Sequence, residues 1–410
     1  MILKEKSSYL LNKIIPYLKT EKMIMSNNNK TAFNKVLLSL YSDIKKGDNY
    51  VKLNLILKPK IVKFNNNKLE LYNHHFFPTN IKKYIQDNGK YVLMYKCIIL
   101  DRNINIYFTL FSESDIKHIQ KYNKYVENMC TWLYICNLYS DRECNKCSLK
   151  IYVNLTPIDK MLPLNHTQTL NAENVNTALT YPCVNDGAIV IFRNEEWMKV
   201  FIHETFHSYG FDLSHTSNNL YDFMQNIFPI NSEMKLCEAY SETWARIINA
   251  NLCSYNSLKN KDDVETYLLY VNFSLVVERI WSTCQMNKVL HFMGLEYEDL
   301  HKQSEVSSIL RKKMYKENSN VFSYYILTSI FLNNYIDFMQ LCYDNNAYIY
   351  IQNKNLHIKL MELIKSNYNS ETFNKLVNCS KNFYLNNKKT KENMNNYLKF
   401  TTRMSVIEIV

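Results

Sequence analysis

The stretch GAIVIFRNEEWMKVFIHETFHSYG, residues 187–210, changes from a strand pattern to a helical pattern in its middle. Residues 187–193 form a short apolar run rich in β-branched side chains, which is typical of a buried strand. Asn194 is a good helix N-cap, and the two glutamates after it then fall in the first turn, where the helix dipole favours them. Gly210 has the position of a left-handed C-terminal cap. The sequence therefore predicts a strand that leads directly into a helix.

Further strands and one long helix precede this stretch. Alternating or β-branched runs predict strands at residues 50–58, 90–100, 103–111 and 149–157. Residues 101–103 predict a hairpin turn between the second and third of these strands. Ser112 or Ser114 offers an N-cap, and the apolar residues at helical spacing that follow predict a helix over residues 115–138. The same spacing dominates residues 232–378. The alternation of residues 403–410 predicts a short strand at the end of the chain.

This order of elements predicts an α+β protein, in which a mixed sheet with helices is followed by a mainly helical C-terminal part. We predict four segments: a helical segment at residues 1–48, a sheet-containing segment at residues 49–230, a helical segment at residues 231–380 and a tail at residues 381–410. A chain of 410 residues is long enough for such an arrangement.

Composition excludes several classes of protein. The net charge is +11, but the lysines are spread along the chain and no long basic run occurs, so we expect no specific nucleic-acid partner. No apolar run approaches the roughly 20 residues that span a membrane. Lysines occupy the first residues where a secretory signal has its apolar core. We therefore expect an intracellular protein without a membrane partner, and we make no prediction of its oligomeric state.

The cysteines are irregularly spaced. All 11 are expected to be reduced thiols in an intracellular protein. Cys144 and Cys147 form a C-x-x-C pair, which is half of a structural zinc site in some proteins. Because no second pair follows at a regular spacing, we favour buried or turn thiols over a metal site.

His203 and His207 are four positions apart in the predicted helix, which places them about 40° apart around its axis. Both imidazoles can therefore bind one ion, and Glu204 lies beside them. This H-E-x-x-H pattern is typical of zinc metallopeptidases, in which the glutamate takes a proton from a zinc-activated water. The alternative is a polar stripe on a surface helix. The strongly apolar flanking residues argue against it, since such groups are costly to bury without a partner.

The third ligand has two candidates. Proteases with H-E-x-x-H-x-x-G-x-x-H place a third histidine six positions after the second, where this chain has Leu213 and not His215. The second candidate is Glu238 in CEAYSETWARI, residues 237–247, where Glu242 lies on the same helical face. We favour Glu238 as the ligand, with Glu242 accepting a hydrogen bond from the free ring nitrogen of a ligating histidine.

The H-E-x-x-H helix, followed after 30 residues by E-x-x-x-E, resembles the gluzincin zinc metallopeptidases. The resemblance implies one catalytic Zn²⁺ and these roles: His203, His207 and Glu238 as ligands, Glu204 as general base and Glu242 as the carboxylate that supports a histidine. The chain departs from the family pattern at two positions. Several gluzincins carry Asp at the position of Glu242, and some carry Asn at the position of Cys237.

A closer resemblance covers residues 144–250. CSLKIYVNLTPIDKMLP, FRNEEWMKVFIHETFHSYGFDLS and EAYSETWA are similar to metallopeptidases encoded by large nucleocytoplasmic DNA viruses (giant viruses), as is the closing RMSVIEI. It implies a viral protein in the host cytoplasm or the virion. The zincin fold of such enzymes implies a twisted sheet, a backing helix and an active-site helix. An edge strand then binds the substrate backbone, and residues 177–183 are the candidate.

The predicted function is hydrolysis of peptide bonds in a protein or peptide substrate. An oxyanion donor is expected beside the metal, and Tyr240, Tyr324, Tyr325 and His291 are candidates, of which we favour Tyr324. The alternative function is a non-catalytic, zinc-stabilised structural or virion protein. A structural zinc site needs a fourth protein ligand and no base, so the presence of Glu204 favours the enzyme.

Overall fold

The computed structural model describes residues 1–18, 27–65, 72–140, 144, 148–181, 187–213, 220–345, 349, 355–387 and 393–409. The Cα positions divide the chain into two compact units. The sheet unit comprises Leu38–Asp159 and Asn176–Phe211, and the helical unit comprises Met1–Leu37, Lys160–Val175 and Asp212–Val410. No helix in the described part of the chain is both long and apolar enough to span a lipid bilayer.

In chain order the described elements are α1 (Glu5–Leu18), α2 (Asn27–Asn54), β1 (Lys60–Lys63), α3 (Thr79–Asn88), β2 (Tyr91–Ile99), β3 (Arg102–Leu110), a 3₁₀ turn (Glu113–His118), α4 (Ile119–Tyr139), β4 (Leu149–Val153), α5 (Ala172–Val175), β5 (Ala178–Thr180), β6 (Ala188–Ile191), α6 (Trp197–Ser208), α7 (Leu220–Ile227), α8 (Leu236–Asn256), α9 (Val264–Phe292), a second 3₁₀ turn (Tyr297–Leu300), α10 (Glu305–Met314), a π-helical segment (Phe322–Leu327), α11 (Thr328–Asn333), α12 (Tyr335–Asn345), α13 (Leu356–Asn367), α14 (Glu371–Asn387) and α15 (Asn393–Phe400).

The sheet unit contains one mixed sheet, whose described residues form six strands in the order β1-β2-β3-β4-β6-β5. β4 pairs in parallel with β3 and with β6, and the other neighbours are antiparallel. The strands predicted at residues 90–100, 103–111, 149–157 and 187–193 are β2, β3, β4 and β6. Together with the helical C-terminal part, this sheet confirms the α+β fold class.

Helices cover both faces of the sheet. Val190 of β6 shares a buried cluster with Ile81 of α3 on one face. Side chains alternate along a strand, so the register from Phe108 across β4 to β6 places Phe108 on the opposite face. There its ring centroid lies 5.3 Å from that of Tyr122 in α4 and 6.4 Å from that of Trp197 in α6. The helix that carries the two candidate histidines therefore lies against the sheet, beside α4.

The strand predicted at residues 50–58 is wrong, because α2 continues to Asn54. The Asn54 side-chain amide donates to the backbone carbonyl of Tyr50 over 2.9 Å, as a residue in the last turn of a helix can do. Leu53 and Ile56, whose alternation suggested a strand, are 84% and 83% exposed. These apolar side chains pack against nothing, so their spacing carried no information about a buried sheet face.

The hairpin between β2 and β3 is confirmed, but its turn lies one residue earlier than predicted. Leu100 and Asp101 form the two-residue loop, with φ angles of 46° and 68°, and Ile99 lies opposite Arg102. Two successive residues with positive φ give the turn a twist that matches the twist of paired strands. Neither position is glycine, which is why composition placed the turn imprecisely.

The start and the end of the long helix before the metal motif agree with the prediction. The chain turns at Ser112, whose side chain accepts from the backbone N–H of Ser114 and forms a capping box with Asp115. The first turn is 3₁₀, and α4 continues from it to Tyr139.

The helical unit confirms the helical pattern of residues 232–378, and it also contains both ends of the chain. The backbone N–H of Lys4 donates to the carbonyl of Glu408 over 2.9 Å. Trp281 of α9 packs in one buried cluster with Leu10 of α1 and Val406. The units therefore do not coincide with the four predicted segments, since residues 1–37 and 212–410 belong together.

Residues 403–408 are buried, and residues 403–409 contain no strand apart from an isolated bridge between Ile409 and Leu3. The predicted strand is wrong because a side chain takes the place of a partner strand. Glu278 Oε1 accepts from the backbone N–H groups of Val406 and Ile407, each over 2.8 Å, and from the Ser405 hydroxyl over 2.7 Å.

The expectation of reduced thiols is wrong at Cys144, which takes part in a disulfide bond. The pairing of a cysteine depends on which other one the fold brings near it, and spacing along the chain does not show this. Cys147 lies outside the described residues. The free cysteines among the described residues are Cys97, Cys130, Cys136, Cys237, Cys253, Cys284, Cys342 and Cys379.

Candidate metal centre

The helix with the metal motif, α6, begins later than predicted. Asn194 is exposed and is not its N-cap, because α6 begins only at Trp197. The backbone N–H of Asn194 donates to the carbonyl of Thr156 over 3.0 Å. The residue before α6 is Glu196, whose φ of 58° is left-handed. Its buried side chain lies 3.9 Å from the buried ammonium of Lys199. This ion pair draws Glu196 inward, which a local capping pattern does not predict.

The end of α6 is confirmed at Gly210, which has a φ of 68°. The backbone N–H of Phe211 donates to the carbonyl of Phe206 over 2.8 Å, and that of Gly210 donates to the carbonyl of His207 over 3.2 Å. These two bonds, with the contact between the Phe206 and Phe211 rings, form a Schellman motif. The motif ends the helix directly after Ser208, one residue beyond His207, with Gly210 as the left-handed residue.

α6 is buried almost all round, and Met198 is its one residue that is not. On the side of α4, the indole N–H of Trp132 donates to the Thr205 hydroxyl over 2.7 Å. The same hydroxyl donates to the carbonyl of Ile202 over 2.6 Å. This buried bond sets the rotation of α6 about its axis, and with it the direction of the residues on either side of Thr205.

His203 and His207 are brought together on α6. Their Nε2 atoms lie 3.1 Å apart, and their ring centroids 4.9 Å apart. Two nitrogen ligands of a tetrahedral zinc ion are about 3.3 Å apart, given Zn–N bonds of about 2.0 Å. The two nitrogens therefore have the separation that a shared zinc ion requires, and neutral imidazole is a ligand that zinc prefers.

The polar-stripe alternative is contradicted by the burial of α6. His203, Glu204 and His207 are 5%, 7% and 8% exposed. A stripe on a surface helix would leave these side chains in water. Burying two imidazoles and a carboxylate side by side costs free energy that other contacts must offset, so these residues do not form a solvated stripe.

Glu238 lies in the first turn of α8, in the helical unit. Its Oε2 accepts a hydrogen bond from the hydroxyl of Tyr324 over 3.1 Å. Both side chains are half-buried. The structure thus brings together the carboxylate that we predicted as the third ligand and the tyrosine that we predicted as the oxyanion donor, although 86 positions separate them.

Tyr324 is held in the π-helical segment. Such segments are rare and are frequent at functional sites. The neighbouring Ser323 accepts a hydrogen bond from the backbone N–H of Lys235 over 3.0 Å. Lys235 is the N-cap of α8 and makes no capping bond with its own side chain. The π-helical segment therefore contacts the first turn of α8 twice, at Lys235 and at Glu238.

Glu242 is buried, one turn after Glu238. Its Oε1 accepts from Nε of Arg246 over 2.9 Å, and both side chains are almost fully buried. We did not predict Arg246, although the spacing of Glu242 and Arg246 is that of a helical ion pair with the acid first. This partner fixes the rotamer of Glu242, and its bond with a ligating histidine stays a prediction.

The other candidates have different surroundings. Tyr325 is buried, and its hydroxyl donates to the carbonyl of Thr402 over 2.6 Å. Tyr240 is buried, with its ring centroid 5.8 Å from that of Phe338. His291 lies in the last turn of α9. His215 lies outside the described residues. Tyr325 and Tyr240 are therefore part of the core.

The predicted edge strand, residues 177–183, contains β5. β5 pairs antiparallel with β6, and no strand in the described part of the chain lies on its other side. Arg193 is fully buried just after β6 and donates through Nε to the carbonyl of Asn176 over 3.0 Å. This bond fixes the backbone where β5 begins. β5 is thus the edge strand of the sheet that the described residues form.

Comparisons of the chain with protein-family models, with curated proteins and with solved structures found no match. The resemblance to metallopeptidases therefore rests on short motifs, and the geometry of the candidate site carries the functional argument.

Proposed function

We propose that this protein is a zinc-dependent metallopeptidase of gluzincin type that hydrolyses peptide bonds in a protein or peptide substrate. The observation that carries the proposal is the pair of buried imidazoles on α6, His203 and His207, whose Nε2 atoms lie 3.1 Å apart. The proposed ligands of one Zn²⁺ are His203, His207 and Glu238. Two imidazoles and one carboxylate are a ligand set of catalytic zinc, which keeps its fourth position for water or substrate.

Each residue of the proposed site has its own role in the reaction. When bound, zinc lowers the pKa of a water molecule and polarises the scissile carbonyl. Glu204 accepts the proton of the attacking water and delivers it to the leaving amine. The single hydroxyl proton of Tyr324, which is donated to Glu238 Oε2 in this structure, would turn to the oxyanion and be donated there. Glu242, oriented by Arg246, accepts from the free ring nitrogen of a ligating histidine and keeps its other nitrogen available for the metal.

The proposal extends to the fold and to the binding of substrate. A mixed sheet with α4 and α6 on one face agrees with a zincin-like domain, in which α4 is the backing helix and α6 the active-site helix. An extended substrate would pair with the free edge of β5, so that its main chain supplies affinity and its side chains supply specificity. The resemblance to giant-virus metallopeptidases supports the same activity and a place in the host cytoplasm or the virion.

The test measures bound zinc and peptide cleavage in parallel. We would compare wild type with Glu204→Gln, which keeps the shape of the side chain but removes the base. Glu127→Gln is the matched control, since Glu127 lies on α4 in an exposed pair with Lys124. The readouts are zinc per chain and products from a peptide library by mass spectrometry. We expect equal zinc in all three, with cleavage lost in Glu204→Gln.

Other outcomes separate the alternatives. Stoichiometric zinc without cleavage by wild type would support the non-catalytic, zinc-stabilised protein. Absence of zinc would refute both functions. Cleavage that Glu204→Gln retains would remove Glu204 as the base.

A further inference from the structure

Glu317 is a buried carboxylate outside the residues of the proposed reaction. Its Oε1 accepts from the hydroxyl of Tyr315 over 3.0 Å and from the hydroxyl of Ser232 in a short hydrogen bond. Its Oε2 accepts from the backbone N–H of Phe322 over 3.1 Å. Burial raises the pKa of Glu317 to about 7, although each of these hydrogen bonds acts in the opposite direction. A carboxylate in such a place costs free energy, so its position requires an explanation.

The contacts of Glu317 tie two chain segments together. Phe322 is the first residue of the π-helical segment, so the carboxylate caps that segment, where the helix dipole favours a negative charge. Ser232 lies on the approach to α8, four positions before its first residue. Glu317 itself is held by its backbone, which forms a bridge with Leu170. One anchored side chain thus binds both the start of the π-helical segment and the approach to α8.

These two segments carry Tyr324 and Glu238. Phe322 is two positions before Tyr324, and the residue between them binds the N-cap of α8. The 3.1 Å separation of the Tyr324 hydroxyl and the Glu238 carboxylate therefore depends on how the π-helical segment is seated against the first turn of α8. Through its hydrogen bonds, Glu317 connects both of these segments to a third part of the chain.

We propose that Glu317 is a positioning residue, which sets the place of the Tyr324 hydroxyl relative to Glu238 by binding Phe322 and Ser232 at once. The inference rests on the proposed function, because it gives Glu317 a part in catalysis through Tyr324. Tyr315 completes the arrangement. Burial and the nearby Glu317 raise the pKa of Tyr315, which keeps its hydroxyl protonated and able to donate. A merely structural cap would affect stability without a specific effect on Tyr324.

The first measurement does not depend on activity or on zinc. 3-Fluorotyrosine is placed at position 324, and the ¹⁹F resonance of the metal-free full-length protein is recorded. We expect Glu317→Gln and Glu238→Gln both to shift this resonance. Glu317→Gln keeps the side-chain volume and one acceptor oxygen, so it remains a folded test if Glu317→Ala unfolds. An unchanged resonance in folded Glu317→Gln would refute the positioning role, even if the protein proves not to be an enzyme.

The matched control is Asp299→Asn. Asp299 also accepts from a backbone N–H, that of Glu296 over 2.9 Å, and from a serine hydroxyl, that of Ser307 over 3.0 Å. It caps the 3₁₀ turn Tyr297–Leu300, which carries none of the residues of the proposed reaction, so its loss tests capping alone. We expect Asp299→Asn to leave the resonance in place. A shift as large as that of Glu317→Gln would overturn the proposal.

The second measurement uses the zinc-loaded protein. In Glu317→Gln we expect kcat to fall about 10-fold to 100-fold, with KM within about 2-fold and zinc content unchanged, because small misplacement of a catalytic group costs rate more than binding. Asp299→Asn should keep the wild-type kcat. If wild type cleaves peptides and kcat of Glu317→Gln equals that of wild type, the positioning role is wrong while the proposed function stands.

Discussion

The hydroxyl of Tyr324 donates a hydrogen bond to Oε2 of Glu238 over 3.1 Å, which joins the π-helical segment to the first turn of α8. A tyrosine beside a proposed metal-ligating carboxylate has two effects. It orients the carboxylate, and in the proposed reaction its hydroxyl would turn from the carboxylate to donate to the oxyanion. Its neighbour Tyr325 has the same chemistry but donates to the carbonyl of Thr402 in the core. Replacing each of these adjacent tyrosines in turn therefore separates an effect on catalysis from an effect on the stability of the fold.

Tyr324→Phe is expected to lower kcat about 100-fold, the usual cost of removing one oxyanion donor, with zinc content unchanged. Tyr325→Phe is expected to lower the free energy of unfolding by about 1 kcal/mol and to leave kcat unchanged. Steady-state kinetics, metal analysis and urea denaturation of both variants check this. Equal losses of kcat in the two variants would mean that Tyr324 has no special role.

Zinc is expected to stabilise the folded protein. At free zinc of about 100 times the dissociation constant, the free energy of unfolding should rise by about 2.7 kcal/mol, and a chelator should reverse the effect. His203→Ala and Glu238→Ala should each abolish most of this increase. His118→Ala, which removes an exposed histidine at the start of α4, should keep it.

Thermal melting with and without zinc measures these differences. The same experiment on His215→Ala tests the other candidate for the third ligand. If His215→Ala loses the zinc effect and Glu238→Ala keeps it, the pair of histidines stands and Glu238 is wrong as a ligand.

The stability of the protein is expected to depend on pH through Glu317. Its pKa is about 7 in the folded protein, above its ordinary value of 4.5, because burial disfavours the charged form. The folded state therefore binds more protons than the unfolded state between these values. The contribution of Glu317 to the free energy of unfolding is full below pH 4.5 and is lost as the pH rises to about 7.

Glu317→Gln lacks this ionisation, so the difference in stability between wild type and variant should change with pH. Wild type should gain stability over the variant when the pH is lowered from about 8 to about 5, by up to a few kcal/mol. Urea denaturation at both pH values measures the difference. A difference that is independent of pH would show that Glu317 does not titrate in this range.

Thr205→Val is expected to destabilise the protein by about 1–3 kcal/mol, since it leaves the buried indole N–H of Trp132 without its acceptor. Thr243→Val is the control. Thr243 is equally buried in a helix, but its hydroxyl donates only to the carbonyl of Ala239 one turn earlier, so its loss leaves no new buried donor. Equal destabilisation by both changes would contradict the role of the Trp132 bond.

Elements with local signals were predictable. β2 and β3 have runs of β-branched and aromatic residues, and Gly210 ends α6 because its positive φ is unfavourable for most other residues. Two of the errors occur where a side-chain partner overrides a local pattern. Asn194 fits the pattern of a cap, but Glu196, which pairs with buried Lys199, is the residue before the helix. Residues 403–409 alternate like a strand, but their backbone donates to the side chain of Glu278.

The chain's local spacing is enough to predict that His203 and His207 meet on one helical face, because helix geometry alone relates positions four apart. It also relates Glu238 to Glu242. Tertiary packing was needed to show that α6 is buried, and that Tyr324 and not Tyr325 donates to Glu238. The reason is the separation of the two residues along the chain. A hydroxyl takes the nearest acceptor in space, and 86 positions of chain separate Tyr324 from the carboxylate that it binds.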